Sequence, residues 1–117
     1  MPTIRDVVQA LARRRGVKAA IVLGRDGLPI DSASTNGLDS DNVAAVVPAL
    51  VSACAGVGDA GGCGAFDTGV VEYEGGLALI TAVTPDALLA LIIDPRTNVG
   101  SLLFEIRRHR PAIAKLL

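Results

Sequence analysis

The sequence predicts an α+β fold in a single domain, in the order helix, hairpin, helix, three-stranded meander, helix. Three observations carry this reading. An Asp26-Gly27 pair stands between two strand-like runs, the pattern of a tight β-hairpin. A long apolar segment with a helix cap at Asp39 or Ser40 follows. Three segments that read as strands, at 66–73, 77–83 and 87–93, are then separated only by Glu74-Gly75-Gly76 and Thr84-Pro85-Asp86, spacings that permit antiparallel neighbours. A chain of 117 residues makes one ordinary domain that buries roughly two-thirds of its unfolded surface.

Each element has a local cause. Thr3 and Asp6 form a capping box with Asp in place of Glu, and Ile4, Val7, Val8 and Leu11 recur at helical spacing. Arg13, Arg14 and Arg15 are expected in the last turn of this helix, where cations complement exposed carbonyls, with Gly16 in the left-handed position beyond it. The run 17–23 is almost continuously apolar, as in an interior strand covered on both faces. Asp26-Gly27 supplies the positive φ of the reversal, and Pro29 enters the next strand at a sheet edge, where a missing N–H is tolerated. The hairpin register is expected to fix which side chains of Ile21, Leu23, Leu28 and Ile30 face the core.

Asn36-Gly37 breaks the chain before the second helix, which is predicted to reach about Gly56 and to bend at Pro48. Residues 56–64 read as a flexible link into the meander. Asp94-Pro95 ends the meander, and a last helix starts near Thr97 or Asn98 with Val99, Leu102, Leu103 and Ile106 on its apolar side. Pro111 is expected to kink or end it.

Composition narrows the function. The formal net charge is −1, and Phe66, Tyr73 and Phe104 are the only aromatics, so neither a field nor a stacking platform favours nucleic acid. The strict apolar runs fall short of the roughly 20 residues of a membrane span, and residues 1–6 lack the order of a secretory signal, so the expectation is a soluble cytoplasmic protein that does not insert into membranes. Cys54 and Cys63 are then expected as buried thiols.

Catalytic constellations are missing. Gly56, Gly58 and Gly61 match G-x-G-x-x-G, but the motif follows a predicted helix and precedes a strand, the reverse of a dinucleotide fingerprint. His109 is the only histidine and lies among Arg107, Arg108 and Arg110, on an expected basic helix surface. Asp39 and Asp41 read as helix-start carboxylates, and Glu72 and Glu74 as solvated residues beside a hairpin turn. Arg25 and the last-helix arginines could stabilise a transferring phosphate, yet no spacing singles one out. No catalytic residue, metal site or cofactor site is assigned.

The second helix is apolar on two sides. Val43, Val47, Leu50, Val51 and Cys54 form one stripe, while Ala45, Val46, Ala49, Ala53 and Gly56 form a second of mostly small residues. The remaining elements are too few to cover both, so the second stripe is expected to meet the same helix of another copy.

Residues 16–32, with the hydrophobic run before Asp26-Gly27, resemble the opening signature of Roadblock domains. The long central helix, the Gly75-Gly76 turn and Asn98-x-Gly100 opening the last helix agree with that likeness. The resemblance implies an α/β/α sandwich with a five-stranded antiparallel sheet. It implies a homodimer through the central helix and third strand, placing Ala45, Val46, Ala49, Ala53, Gly56, Phe66 and Val70 at the interface. It further implies a non-catalytic platform for a small Ras-like GTPase, as in bacterial MglB-type proteins, which promote GTP hydrolysis by rearranging the GTPase switch region. By helix position, the implied contacts are Asp39, Asp41, Asn42, Val46, Ala49 and Ser52. Some MglB-type proteins carry a further tail beyond the last helix; with the sequence given ending at Leu117, binding is expected ahead of stimulated hydrolysis. The alternative is a profilin-like or PAS-like sensor holding a small ligand between sheet and helices, against which stands the scarcity of polar groups in the predicted core.

Overall fold

In the computed structural model, which describes residues 1–35 and 37–117, the elements are α1 (Ile4–Ala12), β1 (Val17–Gly24), β2 (Pro29–Ser34), α2 (Ser40–Ala60), β3 (Thr68–Tyr73), β4 (Gly76–Thr84), β5 (Ala87–Ile93) and α3 (Val99–Ala114). The predicted order therefore holds; Asn36 lies outside the described residues. All strand pairs are antiparallel, in the order β2-β1-β5-β4-β3. The hairpin thus joins the meander through β1 and β5, whose side chains, apart from half-buried Lys18, are apolar on both faces and almost wholly buried.

Two cores result. Over one face, Val8 of α1 and Leu102, Ile106 and Ile113 of α3 pack with Val22, Leu79, Leu89 and Leu91. Over the other, Ala44, Val47 and Val51 of α2 pack with Ile21, Leu23, Ile80 and Leu88. Each fully buried Leu or Ile contributes about 2 kcal/mol relative to exposure. The result is an α/β/α sandwich, with two helices on one face and α2 alone on the other.

The capping box is present. Thr3 N–H donates to Asp6 Oδ2 at 2.9 Å, and Asp6 N–H donates to the Thr3 hydroxyl at 3.2 Å. These Thr3 hydrogen bonds, the backbone one foremost, hold the Asp6 carboxyl below its ordinary pKa. The helix ends sooner than expected. Arg13 is the C-cap, and Val17 N–H bonds the Arg14 carbonyl, so the arginines form the turn after α1 instead of its last turn.

In the hairpin, Gly27 takes the left-handed conformation (φ +87°) and its N–H donates to the Gly24 carbonyl at 2.9 Å, closing a three-residue loop. Asp26 Oδ1 accepts from Leu28 N–H at 3.0 Å. The pairing of β1 with β2 then slips between Val22 and Leu23. Ile30, the extra residue of that bulge on the edge strand, is 49% exposed and Leu28, in the loop before β2, 66%, whereas Ile21 and Leu23 are fully buried. The register thus places the β1 pair in the core and leaves the other two outside.

Two helices outrun their predicted ends. α2 continues through Gly56 and Gly58 to Ala60, with Gly61 as C-cap, so the helix ends four residues later than expected. α3 passes through Pro111 to Ala114. Arg107 and Pro111 are both exposed residues, so the backbone bond that Pro111 cannot donate is lost on the solvent side of the helix. At the meander, β3 begins at Thr68, with Phe66 packed beneath α2 as a half-buried side chain. Cys54 is half-buried and Cys63 exposed, both free thiols, against the expectation that both are buried. At 21 residues with only Asp41 and Asp59 charged, α2 is also long and apolar enough by length and composition to cross a membrane, contrary to the reading of strict apolar runs. In this fold one side of it belongs to the core.

Candidate protein-interaction surface

The helix α2 is anchored at its start by Asp39, whose side chain accepts from Asn42 N–H at 3.1 Å. From there, Ser40, Ala44, Val47 and Val51 recur at helical spacing and face the sheet. Val43, Leu50 and Cys54, assigned to the same buried stripe from sequence, are half-buried flanks. The opposite side is open: Ala45, Val46, Ala49, Ala53 and Gly56 are all exposed, and Val46 and Val57 reach 63% and 73%. A Cβ added at Gly56 meets nothing within 4 Å. Water-facing valines and alanines on a 21-residue helix make a protomer surface of the kind that protein contacts cover.

The residues implied by resemblance separate into groups. Asp41, Asn42, Val46, Ala49 and Ser52 are exposed along α2, and Asp39 is exposed at its cap with a carboxylate oxygen already engaged. Phe66 lies on the α2 side of the sheet. Val70 does not join them. It pairs with Leu79, which packs under α1 and α3, and antiparallel partners share a face, so Val70 projects away from α2. On β3 it is Val71, paired with Ala78, and Tyr73, 58% exposed, that face the α2 side. Since both 70 and 71 are valine, only the parity set by exposed Glu72, on the Val70 face, could have separated them in the sequence.

Residues considered for chemistry remain apart. His109, Arg25, Glu72 and Glu74 are exposed, and among the described residues no three His, Cys, Asp or Glu side chains cluster as a metal site. Gly56, Gly58 and Gly61 lie at the C-terminal end of α2, where the helix presents carbonyls and not the N–H groups a phosphate needs. Sequence reasoning missed Arg110. Instead of joining a basic surface, its side chain is 24% exposed and Nη1 bonds Asp67 Oδ1 and the Thr81 hydroxyl, each at 2.9 Å. Thr81 is fully buried and shares a second bond with the Thr68 hydroxyl at 2.9 Å.

Fold and surface together define a small α/β/α module that offers a helix face for association and no assembled catalytic group among the described residues. The chain belongs to the Roadblock/LC7 domain family, whose sequence profile matches residues 3–93, from the α1 cap to the end of β5. This is a family of generally non-catalytic regulatory domains. An uncharacterized protein of Methanocaldococcus jannaschii is 26% identical over 102 residues, spanning 87% of this chain and 89% of its own. Among solved structures, Myxococcus xanthus MglB is similar with a TM-score of 0.86 at 23% identity, covering 97% of this chain and 93% of that one. A structure described as MglB with tetrameric arrangement is similar with a TM-score of 0.87 at 20% identity, covering 97% of this chain and 86% of that one. At these identities the structural likeness is one of fold.

Proposed function

We propose that this protein is a non-catalytic regulator or scaffold that forms a homodimer through α2 and β3 and docks a small Ras-like GTPase on the paired α2 helices. The observation that carries the reading is the open apolar side of α2, from Ala45 and Val46 to Gly56 and Val57. Its small side chains allow a second helix to approach closely. As an edge strand, β3 leaves one row of backbone N–H and C=O groups unpaired in the protomer, which an antiparallel copy would satisfy. The fold shared with MglB, one structure of which is described as tetrameric, supports self-association.

Within that reading the two residue sets divide the helix. Val46 and Ala49 belong to both and lie near the middle of the open side, in the dimer seam. Asp41, Asn42 and Ser52 flank it and remain available to the GTPase, in an acidic margin that suits a basic partner surface. The localisation proposed is cytoplasmic.

The test uses the purified protein as bait for lysate equilibrated with a non-hydrolysable GTP analogue or with GDP, and light scattering on the same sample. A Ras-like GTPase identified by mass spectrometry, retained more strongly with the GTP analogue on a dimer, supports the reading and permits hydrolysis assays. A monomer that retains no GTPase in either nucleotide state removes it.

A further inference from the structure

On the face of the sheet opposite α2, α1 packs over β1 and β2 and α3 over β4, and a groove of about 760 Å³ runs between the two helices. Arg14 and Glu105 form an ion pair across it, and Met1 and Leu116 are among its lining residues. Along α3, Glu105 to Ala114 rises about 14 Å. The floor is Ile106 and Ile113, and the walls include Val7, Leu11 and Ala112.

The volume is in the range of small-molecule sites, and the lining is apolar. The buried polar side-chain atom lacking a partner among the described residues is Ser40 Oγ, on the far side of the sheet, so the groove holds no orphan donor or acceptor for a polar ligand body. Among the described residues of its rim the one acid, Glu105, is paired with Arg14, while the cations Arg108 and Lys115 enter no ion pair and His109 lies next to Arg108. A hydrocarbon body with one anionic end matches both parts.

We propose that the groove between α1 and α3 binds a medium-chain acyl anion, its chain running along Ile113 and Ile106 and its carboxylate at the Arg108 end. The site lies across the sheet from α2 and stands or falls independently of the GTPase reading.

Dodecanoate, kept below its self-association concentration, is the probe, read by calorimetry and by ¹³C-methyl shifts. Ile106 and Ile113 methyls are expected to move and those of Ile21 and Ile80, under α2, to stay. Ala112→Phe, which narrows the groove from an exposed position, and Arg108→Glu are each expected to weaken binding at least tenfold, with the folded spectrum kept. Dodecanol is expected to bind at least tenfold more weakly than dodecanoate, and acetate to leave the methyls unmoved. The proposal is overturned if dodecyltrimethylammonium binds as well as dodecanoate, if Ala112→Phe changes nothing, or if binding needs anionic phospholipid vesicles. It is equally overturned if the Ile106 and Ile113 methyls shift with protein concentration alone, which would place a second copy in the groove.

Discussion

Arg110 Nη1 stands 2.9 Å from Asp67 Oδ1, across 43 residues of sequence, and so fastens α3 to the segment that leads into the edge strand β3. The same nitrogen donates to Thr81, a fully buried hydroxyl on β4. Hydrogen bonds to a charged donor in a partly desolvated place are among the stronger ones.

Replacing Arg110 with Met is therefore expected to destabilise the protomer by about 2 kcal/mol, and Lys to recover only part, because an ammonium lacks the planar fork. Urea unfolding of the three proteins checks this. Equal stability of Arg110→Met and wild type would show that the contact contributes nothing net.

The open side of α2 leads to a prediction about mass. Ala49 is exposed in the protomer, so Ala49→Glu should fold, yet in a paired helix seam it buries a charge without a partner. A dimeric wild type and a monomeric variant with unchanged circular dichroism are expected by light scattering. A variant that remains dimeric would move the seam elsewhere.

Gly16 joins the end of the α1 turn to the start of the sheet in the left-handed conformation (φ +87°), and a Cβ there would lie 2.0 Å from Thr97 Oγ1. Gly16→Ala is expected to cost about 2 kcal/mol or more, from backbone strain and the clash together. Adding Thr97→Ala should restore part of the loss, since it removes the hydroxyl and leaves the φ penalty; the thermal midpoints of the single and double variants decide it.

The capping box makes α1 sensitive to acid. The carboxyl of Asp6 titrates lower in the folded chain than unfolded, so its contribution is present above the unfolded value near 4 and is lost as pH falls through the folded value. Protection of the first-turn amides of α1, taken against the intrinsic exchange rate at each pH, should fall on that descent, and Asp6→Asn should flatten the dependence. An unchanged profile in Asp6→Asn would assign the acid sensitivity to another group.

How much of this was legible beforehand depended on the range of the cause. The cap at Thr3, the helix starts at Asp39 or Ser40 and near Thr97 or Asn98, the turn at Gly27 and the strand Ala87–Ile93 all follow from groups within a few residues of one another, and they were readable to within a residue. So was the open side of α2, because a 3.6-residue period assigns faces without reference to the rest of the chain. Helix ends were less legible: α2 runs on through Gly56 and Gly58, and α3 through Pro111, where packing and solvent outweigh intrinsic preference.

The sequence by itself determined the α+β class, the order of elements, the family likeness and the helix that has one apolar side too many. Tertiary structure alone decided that Val70 faces away from α2, that Leu28 and Ile30 stay outside, that Arg110 meets Asp67, and that α1 and α3 leave a groove between them. The physical reason is register. A strand's period of two makes one residue of slip exchange its faces, and that slip is settled by partners far along the chain, which local periodicity does not encode.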